Sequence, residues 1–150
     1  MRRIRPLLFS LVFNPILHLF FYISGYVKRD KKVWVFGAWQ GQNYTDNSKY
    51  LFEYCSTHYP NLDIYWISKS KDVVDKINKK GFKAEYYLSI NGIFKTLKAS
   101  CFIYSSYSND INYWLSRGAY KVNLWHGLPY KKIASDIENT NNIFYKIYNG

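Results

Sequence analysis

Five short runs of β-branched and aromatic residues, separated by stretches of helical patterning or by chain breakers, constrain this chain more than any other feature. Val33-Trp34-Val35-Phe36 is closed by Gly37. Ile64-Tyr65-Trp66-Ile67 follows, then Ala84 to Tyr87, Cys101-Phe102-Ile103-Tyr104, and Tyr120-Lys121-Val122-Asn123-Leu124-Trp125. Between the first two runs, Asn47-Ser48 reads as the cap of a helix from Lys49 to Tyr59, with Tyr50, Leu51, Tyr54 and Cys55 or His58 on its apolar side. Asp72 to Lys80 reads as a helix with acids first and lysines last, stopped by Gly81. Ile90 to Ala99 makes a third, and Ile111 to Arg117 a helical piece ended by Gly118. Strands alternating with crossovers of this length predict an α/β fold, with a parallel sheet and helices on both faces.

In such a sheet, ligands bind beyond the carboxyl ends of the strands. Three strand ends carry unusual chemistry: Gly37 with Trp39 to Asn43, Ser105 to Ser108, and Trp125-His126-Gly127. No G-x-G-x-x-G fingerprint and no Gly-Lys-Ser/Thr phosphate loop is present, which argues against a dinucleotide dehydrogenase or a P-loop enzyme. Two cysteines, Cys55 and Cys101, make neither a disulfide framework nor a four-ligand zinc site, and His18, His58 and His126 have no ligand spacing. These residues name no metal ligands and no cofactor is firmly implied, while the sequence leaves a metal requirement open.

The charge is uneven. The chain of 150 residues has 21 Lys+Arg against 10 Asp+Glu, a net charge of +11. Its first 32 residues hold seven basic groups against Asp30 alone, bracketing the apolar run from Pro6 to Tyr26. As one helix those residues would extend about 31 Å, nominally enough to cross a bilayer. Pro15 would break it, and Asn14-Pro15 is a natural restart for a helix of about 18 Å ending near Tyr26. Ser10, Asn14, His18 and Tyr22 recur every four residues on one side. A polar stripe with basic flanks predicts a helix lying in the headgroup region, hence peripheral or monotopic attachment to an anionic membrane surface. No small-x-small cleavage site follows the run.

His126 is the foremost candidate for chemistry. An imidazole at a strand's carboxyl end, beside Gly127, can take a proton from an attacking hydroxyl near neutral pH. The alternative is a strand-end histidine bonded to a neighbouring loop. Lys131 and Lys132 can hold phosphate oxygens or form an ordinary solvated pair. Trp125 and Trp39 are candidates for the rim of a binding site or for packing, and Asn47 and Ser48 for a helix start that tolerates anions.

Three blocks of residues resemble a known family. Val35-Phe36-Gly37-Ala38-Trp39 with Asn43-Tyr44-Thr45-Asp46-Asn47-Ser48-Lys49-Tyr50-Leu51-Phe52-Glu53-Tyr54 looks like the opening of the CDP-glycerol glycerophosphotransferases of teichoic acid synthesis. Tyr65-Trp66-Ile67-Ser68-Lys69 is similar to their second-strand segment. Leu124-Trp125-His126-Gly127-Leu128-Pro129-Tyr130-Lys131-Lys132-Ile133 resembles their Trp-His-Gly-Thr-Pro-Leu-Lys-Lys motif, with Leu128 where Thr is usual. The likeness runs from about Lys32 to Ile133.

The resemblance implies the N-terminal, Rossmann-like half of a GT-B fold, preceded by a membrane-associating helix. It divides the chain into an anchoring segment (1–32), an acceptor-side domain (33–133) and the start of the following helix or linker (134–150). It implies transfer of glycerol phosphate from CDP-glycerol to a hydroxyl of a lipid-linked teichoic acid primer or polymer, at the cytoplasmic face of the cell membrane. His126 would be the general base, with Trp125, Gly127, Pro129, Lys131, Lys132, Gly37, Trp39, Asn47 and Ser48 as substrate-binding positions. The nucleotide-activated donor would bind through a C-terminal domain not included in these residues, so the chain by itself is expected to be catalytically incomplete. Sibling readings are a GT-B transferase using CDP-ribitol or a nucleotide sugar. A reading of another class is a non-catalytic basic module for lipid or nucleic acid. Against nucleic acid, the aromatics lie in strand-like runs and do not interleave with Lys and Arg on one surface.

Overall fold

The computed structural model describes residues 15–125. Helix α1 covers residues 15–24. Then come β1 (Asp30–Gly37), α2 (Asp46–His58), β2 (Asp63–Ser68), α3 (Lys71–Lys79), β3 (Ala84–Tyr86), α4 (Ile90–Lys98), β4 (Ala99–Tyr104) and β5 (Tyr120–Asn123). The five strands form one sheet in the order β3-β2-β1-β4-β5, every neighbouring pair parallel. Val35 of β1 lies between Tyr65 of β2 and Phe102 of β4. Successive crossovers run outward from β1 to β3, after which α4 returns the chain to the other side of β1. The order therefore reverses between β1 and β4, the topological switch point of a Rossmann-like sheet.

The central strand reads as an unbroken apolar run because both of its faces are covered. Trp34 and Phe36 point to one face, where α2 and α3 supply Phe52, Cys55 and Ile77, and β2 adds Ile64 and Trp66. Val33 and Val35 point to the other, with Ile67, Ala99, Phe102 and Ile111. Helix α4 packs on this second face, as its contacts with β1, β2 and β3 show. Helix α1 docks beside it through Phe21, stacked on Tyr113 at 4.8 Å, and His18, edge-on to Trp114 at 5.2 Å.

Several local expectations are corrected. Helix α2 begins at Asp46 with Thr45 as its cap, so Asn47 and Ser48 are helical residues of the first turn. Its buried side is Ser48, Phe52 and Cys55, while Tyr50 and Tyr54 are exposed. Aromatics at three of the five positions from Tyr50 to Tyr54 leave the buried arc ambiguous, and the hydrocarbon ring wins over phenols that keep their hydroxyls in water. The helical piece at 111–117 is only a 3-10 turn, Tyr113–Leu115. Helix α1, which starts at Pro15 within the described residues, is about 15 Å long. Among the described residues no helix is long and apolar enough to cross a membrane.

Candidate functional site

The carboxyl edge of the sheet at the β1/β4 switch is built from three loops: 38–46 after β1, 105–112 after β4, and 124–125 after β5. Backbone strain gathers there. The four described non-glycine residues with positive φ are Trp39 (49°), Gln40 (54°), Asp46 (62°) and Trp125 (57°). All four are on this edge. L-residues enter the left-handed region at a cost, so surrounding contacts must hold them there.

Those contacts are visible. Asp110 is fully buried. Its Oδ1 accepts the Gln40 N–H at 2.7 Å, and its Oδ2 accepts the Ser106 and Tyr107 N–H groups at 2.9 and 3.3 Å. Among the described residues no Lys or Arg pairs with this carboxylate; backbone N–H groups surround it instead. Burial first, and the Asp110 carboxylate second, push the Tyr104 phenol above its ordinary value. Gly37 fits against the same segment: a Cβ there would lie 2.5 Å from the Asp110 carbonyl oxygen and 2.7 Å from Ile111 Cγ1. Glycine at 37 lets two loops touch. Its position is filled by protein.

A second set of bonds fixes the end of β5. Asn47 Nδ2 donates to the carbonyls of Leu124 (3.3 Å) and Trp125 (2.8 Å). Asn123 Oδ1 accepts the Trp125 N–H at 2.9 Å, while its Nδ2 donates to the Ser106 carbonyl at 3.0 Å. Ser48 is buried with its Oγ 2.7 Å from Ser105 Oγ, tying α2 to the loop after β4. Thus the first turn of α2 holds the strained residue that immediately precedes His126.

Between these loops lies a cavity of about 360 Å³, lined by Trp39, Gln40, Asp46, Ser106, Tyr107 and Asp110. Trp39 and Tyr107 are more than half exposed and form its rim.

The structure therefore brings Gly37, Trp39, Asn47, Ser48 and Trp125 to one edge. Trp39 faces the cavity, Asn47 and Ser48 act on the backbone or on each other's loops, and Gly37 is packed under. His126, Gly127, Pro129, Lys131 and Lys132 lie outside the described residues. Sequence reasoning missed Asp110 and Asn123. Asp110 ends a Ser-rich loop, where an Asx-type turn is a reasonable expectation, but nothing in the sequence says that Gln40 supplies a third N–H. Cys55 on the buried side of α2 and Cys101 in β4 have thiols pushed up by burial. Among the described residues no three His, Cys, Asp or Glu side chains converge.

An all-parallel sheet of order 3-2-1-4-5, with its strained loops and cavity at the switch point, defines a Rossmann-like α/β unit whose binding edge is the carboxyl one. The particular family follows from comparison: residues 19–148 match the CDP-Glycerol:Poly(glycerophosphate) glycerophosphotransferase family, and the chain belongs to it. It is similar to the teichoic acid poly(glycerol phosphate) polymerase of Staphylococcus epidermidis, with 30% identity over 114 residues, covering 71% of this chain and 14% of that protein. The teichoic acid glycerol-phosphate transferase of Staphylococcus aureus is 26% identical over 110 residues, 73% of this chain and 28% of its own length. Among solved structures, the wall teichoic acid polymerase TagF superposes with a TM-score of 0.63 at 22% identity, covering 93% of this chain and 36% of that one. A TagF variant soaked with CDPG gives a TM-score of 0.61 at 23% identity, covering 84% and 32%. The parallel α/β architecture is thus shared, and the chain spans about a seventh to a third of the length of these relatives.

Proposed function

We propose that this chain is the acceptor-side half of a GT-B glycerophosphotransferase that transfers glycerol phosphate from CDP-glycerol to a hydroxyl of a lipid-linked teichoic acid primer or polymer. His126 acts as general base. The observation that carries the reading is the clamp on β5: Asn47 and Asn123 hold Trp125 in a left-handed conformation, one residue before the imidazole. A base must be held at a set place to reach the proton of its alcohol, and a strand end stapled on two sides is a rigid mount.

In this reading the acceptor oxygen attacks the β-phosphorus of the donor. A new O–P bond forms as the bond to the departing CMP breaks, CMP keeps the electron pair, and the imidazole takes the hydroxyl proton. Lys131 and Lys132 offer cations to the phosphate oxygens as their charge shifts toward the leaving group. Trp39, Tyr107 and the cavity between them lie where an extended acceptor would enter. Gly127 and Pro129 are further substrate-binding positions of this reading. The donor is held by groups beyond those in this chain, so transfer belongs to the assembled enzyme. Helix α1, basic at its flanks, lies along the cytoplasmic membrane surface, where the lipid-linked acceptor resides. CDP-ribitol or a nucleotide sugar remains the competing donor, since the acceptor half does not select it.

The test uses the full-length enzyme with labelled CDP-glycerol. His126→Ala is expected to lower transfer by about a hundredfold or more, the range of a lost general base, and to leave sedimentation with membranes unchanged. Near-normal turnover removes His126 from the mechanism, and normal transfer from CDP-ribitol alone reassigns the donor.

A further inference from the structure

A cavity of about 660 Å³ lies away from the β1/β4 edge, on the α1/α4 face. Its walls are Leu17, Phe20 and Ile23 of α1, Ile93 and Leu97 of α4, and Trp114. Phe20 and Ile23 are each about half exposed, so the cavity opens at the surface. Leu88 also lines it, and Leu19 on α1 and Ile90 and Phe94 on α4 are further exposed apolar side chains of the same helices. The walls are mostly hydrocarbon; Ser24, Lys69, Asn109 and Asn112 are their polar members, and the Lys69 ammonium is already bonded to the Asn109 carbonyl.

Cations without carboxylate partners lie against rings of the same two helices: Lys98 is on α4, Arg117 is in the turn before β5 and Lys121 is in β5. Lys98 lies over the ring of Phe94, Arg117 over Tyr22 at 4.6 Å, and Lys121 over Phe21 and Tyr113 at 5.6 Å. The ion pairs among the described residues are Lys80 with Glu53 and both Lys83 and Lys95 with Asp63. None involves Lys98, Arg117 or Lys121. An apolar concavity between two helices whose rings carry unneutralised cations complements a molecule with a hydrocarbon tail and an anionic head.

We propose that this cavity takes one acyl chain of an anionic bilayer phospholipid, with the headgroup layer lying against Lys98, Arg117 and Lys121. The proposal rests on the membrane part of the reading above and deepens it: attachment is by capture of a lipid chain between α1 and α4, beyond adsorption of a charged surface. Helix α1 is suited to this because one of its sides, Phe21 and His18, is already spent on Tyr113 and Trp114, while Leu17 and Phe20 face the cavity.

Trp114, in the cavity wall, supplies the readout. The full chain is mixed with phosphatidylglycerol vesicles whose acyl chains are brominated, and tryptophan fluorescence is recorded beside vesicle sedimentation. Quenching is expected, reduced at least threefold in Trp114→Phe and in the cavity-filling variants Leu97→Phe and Ile93→Phe, with far-UV circular dichroism confirming that each variant folds. Replacing Lys98 and Arg117 by Gln is expected to weaken sedimentation several-fold. Vesicle binding with quenching unchanged in both filled variants overturns chain capture, leaving surface adsorption. Equal quenching by brominated phosphatidylcholine overturns the anionic headgroup. Quenching that requires removal of residues 1–13 assigns the cavity to the chain's own N-terminal segment and overturns the lipid. Failure to bind vesicles at all overturns the membrane reading with it. Transfer by the assembled enzyme is measured separately, so the role of His126 stands or falls independently.

Discussion

The two faces of the sheet are held by different physics. On the α2/α3 face, Phe36, Phe52, Trp66, Tyr44 and Phe82 meet edge-to-face with centroids 4.8–6.0 Å apart. That face is closed by aromatic hydrocarbon, and Trp66 Nε1 is left without an acceptor inside it. On the α1/α4 face, polar groups do much of the joining. One Arg29 guanidinium donates to five carbonyls: Thr96, Ala99, Ser24, Leu115 and Arg117. It ties the end of α1, the end of α4 and the turn before β5 to one point. Asp63 bridges Lys83 and Lys95 at 2.8 Å each, linking β2 to α4 and to the strand entry at residue 83. Directional bonds fix where elements sit without filling the space between them, and the apolar cavity lies on this face.

Breaking the aromatic face has the largest expected consequence. Phe52→Ala removes a fully buried ring and should cost about 3–5 kcal/mol in denaturant unfolding; a loss under about 1 kcal/mol would mean the cluster repacks and the two faces differ less than described. On the polar face, Arg29→Met keeps the aliphatic stem but strands five carbonyls. Buried acceptors left unpaired should cost about 2–4 kcal/mol, and the amides of residues 24–29 and 115–118 should lose hydrogen-exchange protection ahead of those in β1. Uniform loss of protection would show that Arg29 is not a local staple.

The smallest effect sharpens the contrast by pH. Burial alone would raise the Asp63 carboxyl, but hydrogen bonds from Lys83 and Lys95 outweigh it and hold the group below its ordinary value. A carboxylate depressed on folding contributes stability above its unfolded pKa, about 3.9. That contribution is lost as pH falls through the lower folded value. Asp63→Asn should therefore cost less than about 1 kcal/mol near neutrality, as suits a partly exposed pair. It should also flatten the decline in stability below about pH 4. An unchanged acid limb would remove Asp63 from that face's account.

Much of the α/β plan was legible because strand periodicity and breakers are local. Val33 to Phe36, Ile64 to Ile67 and Cys101 to Tyr104 announce buried strands, and Gly81 announces a helix end (φ +85°). The site was legible in part. Trp39, Asn47, Ser48 and Trp125 were picked out, and they do converge, but the work of Asn47 is to bind the backbone at Leu124 and Trp125, 77 and 78 residues away. Asp110 escaped notice because its value comes from a loop 70 residues earlier. Gly37 was named as a substrate-binding position through the resemblance, and in the fold its Cα packs against Asp110 and Ile111.

Alone, the order of residues determined the succession of strands and helices, the basic bracket around the N-terminal apolar run and the family motifs, since each depends on neighbours a few positions apart. Only the tertiary structure decided that the sheet turns between β1 and β4, that Phe52 and not Tyr50 enters the core, and that α1 and α4 leave a hydrocarbon cavity between them. Those outcomes depend on packing and hydrogen bonding between segments remote in sequence, where shape and satisfaction of buried polar groups choose among arrangements that local patterning leaves equal.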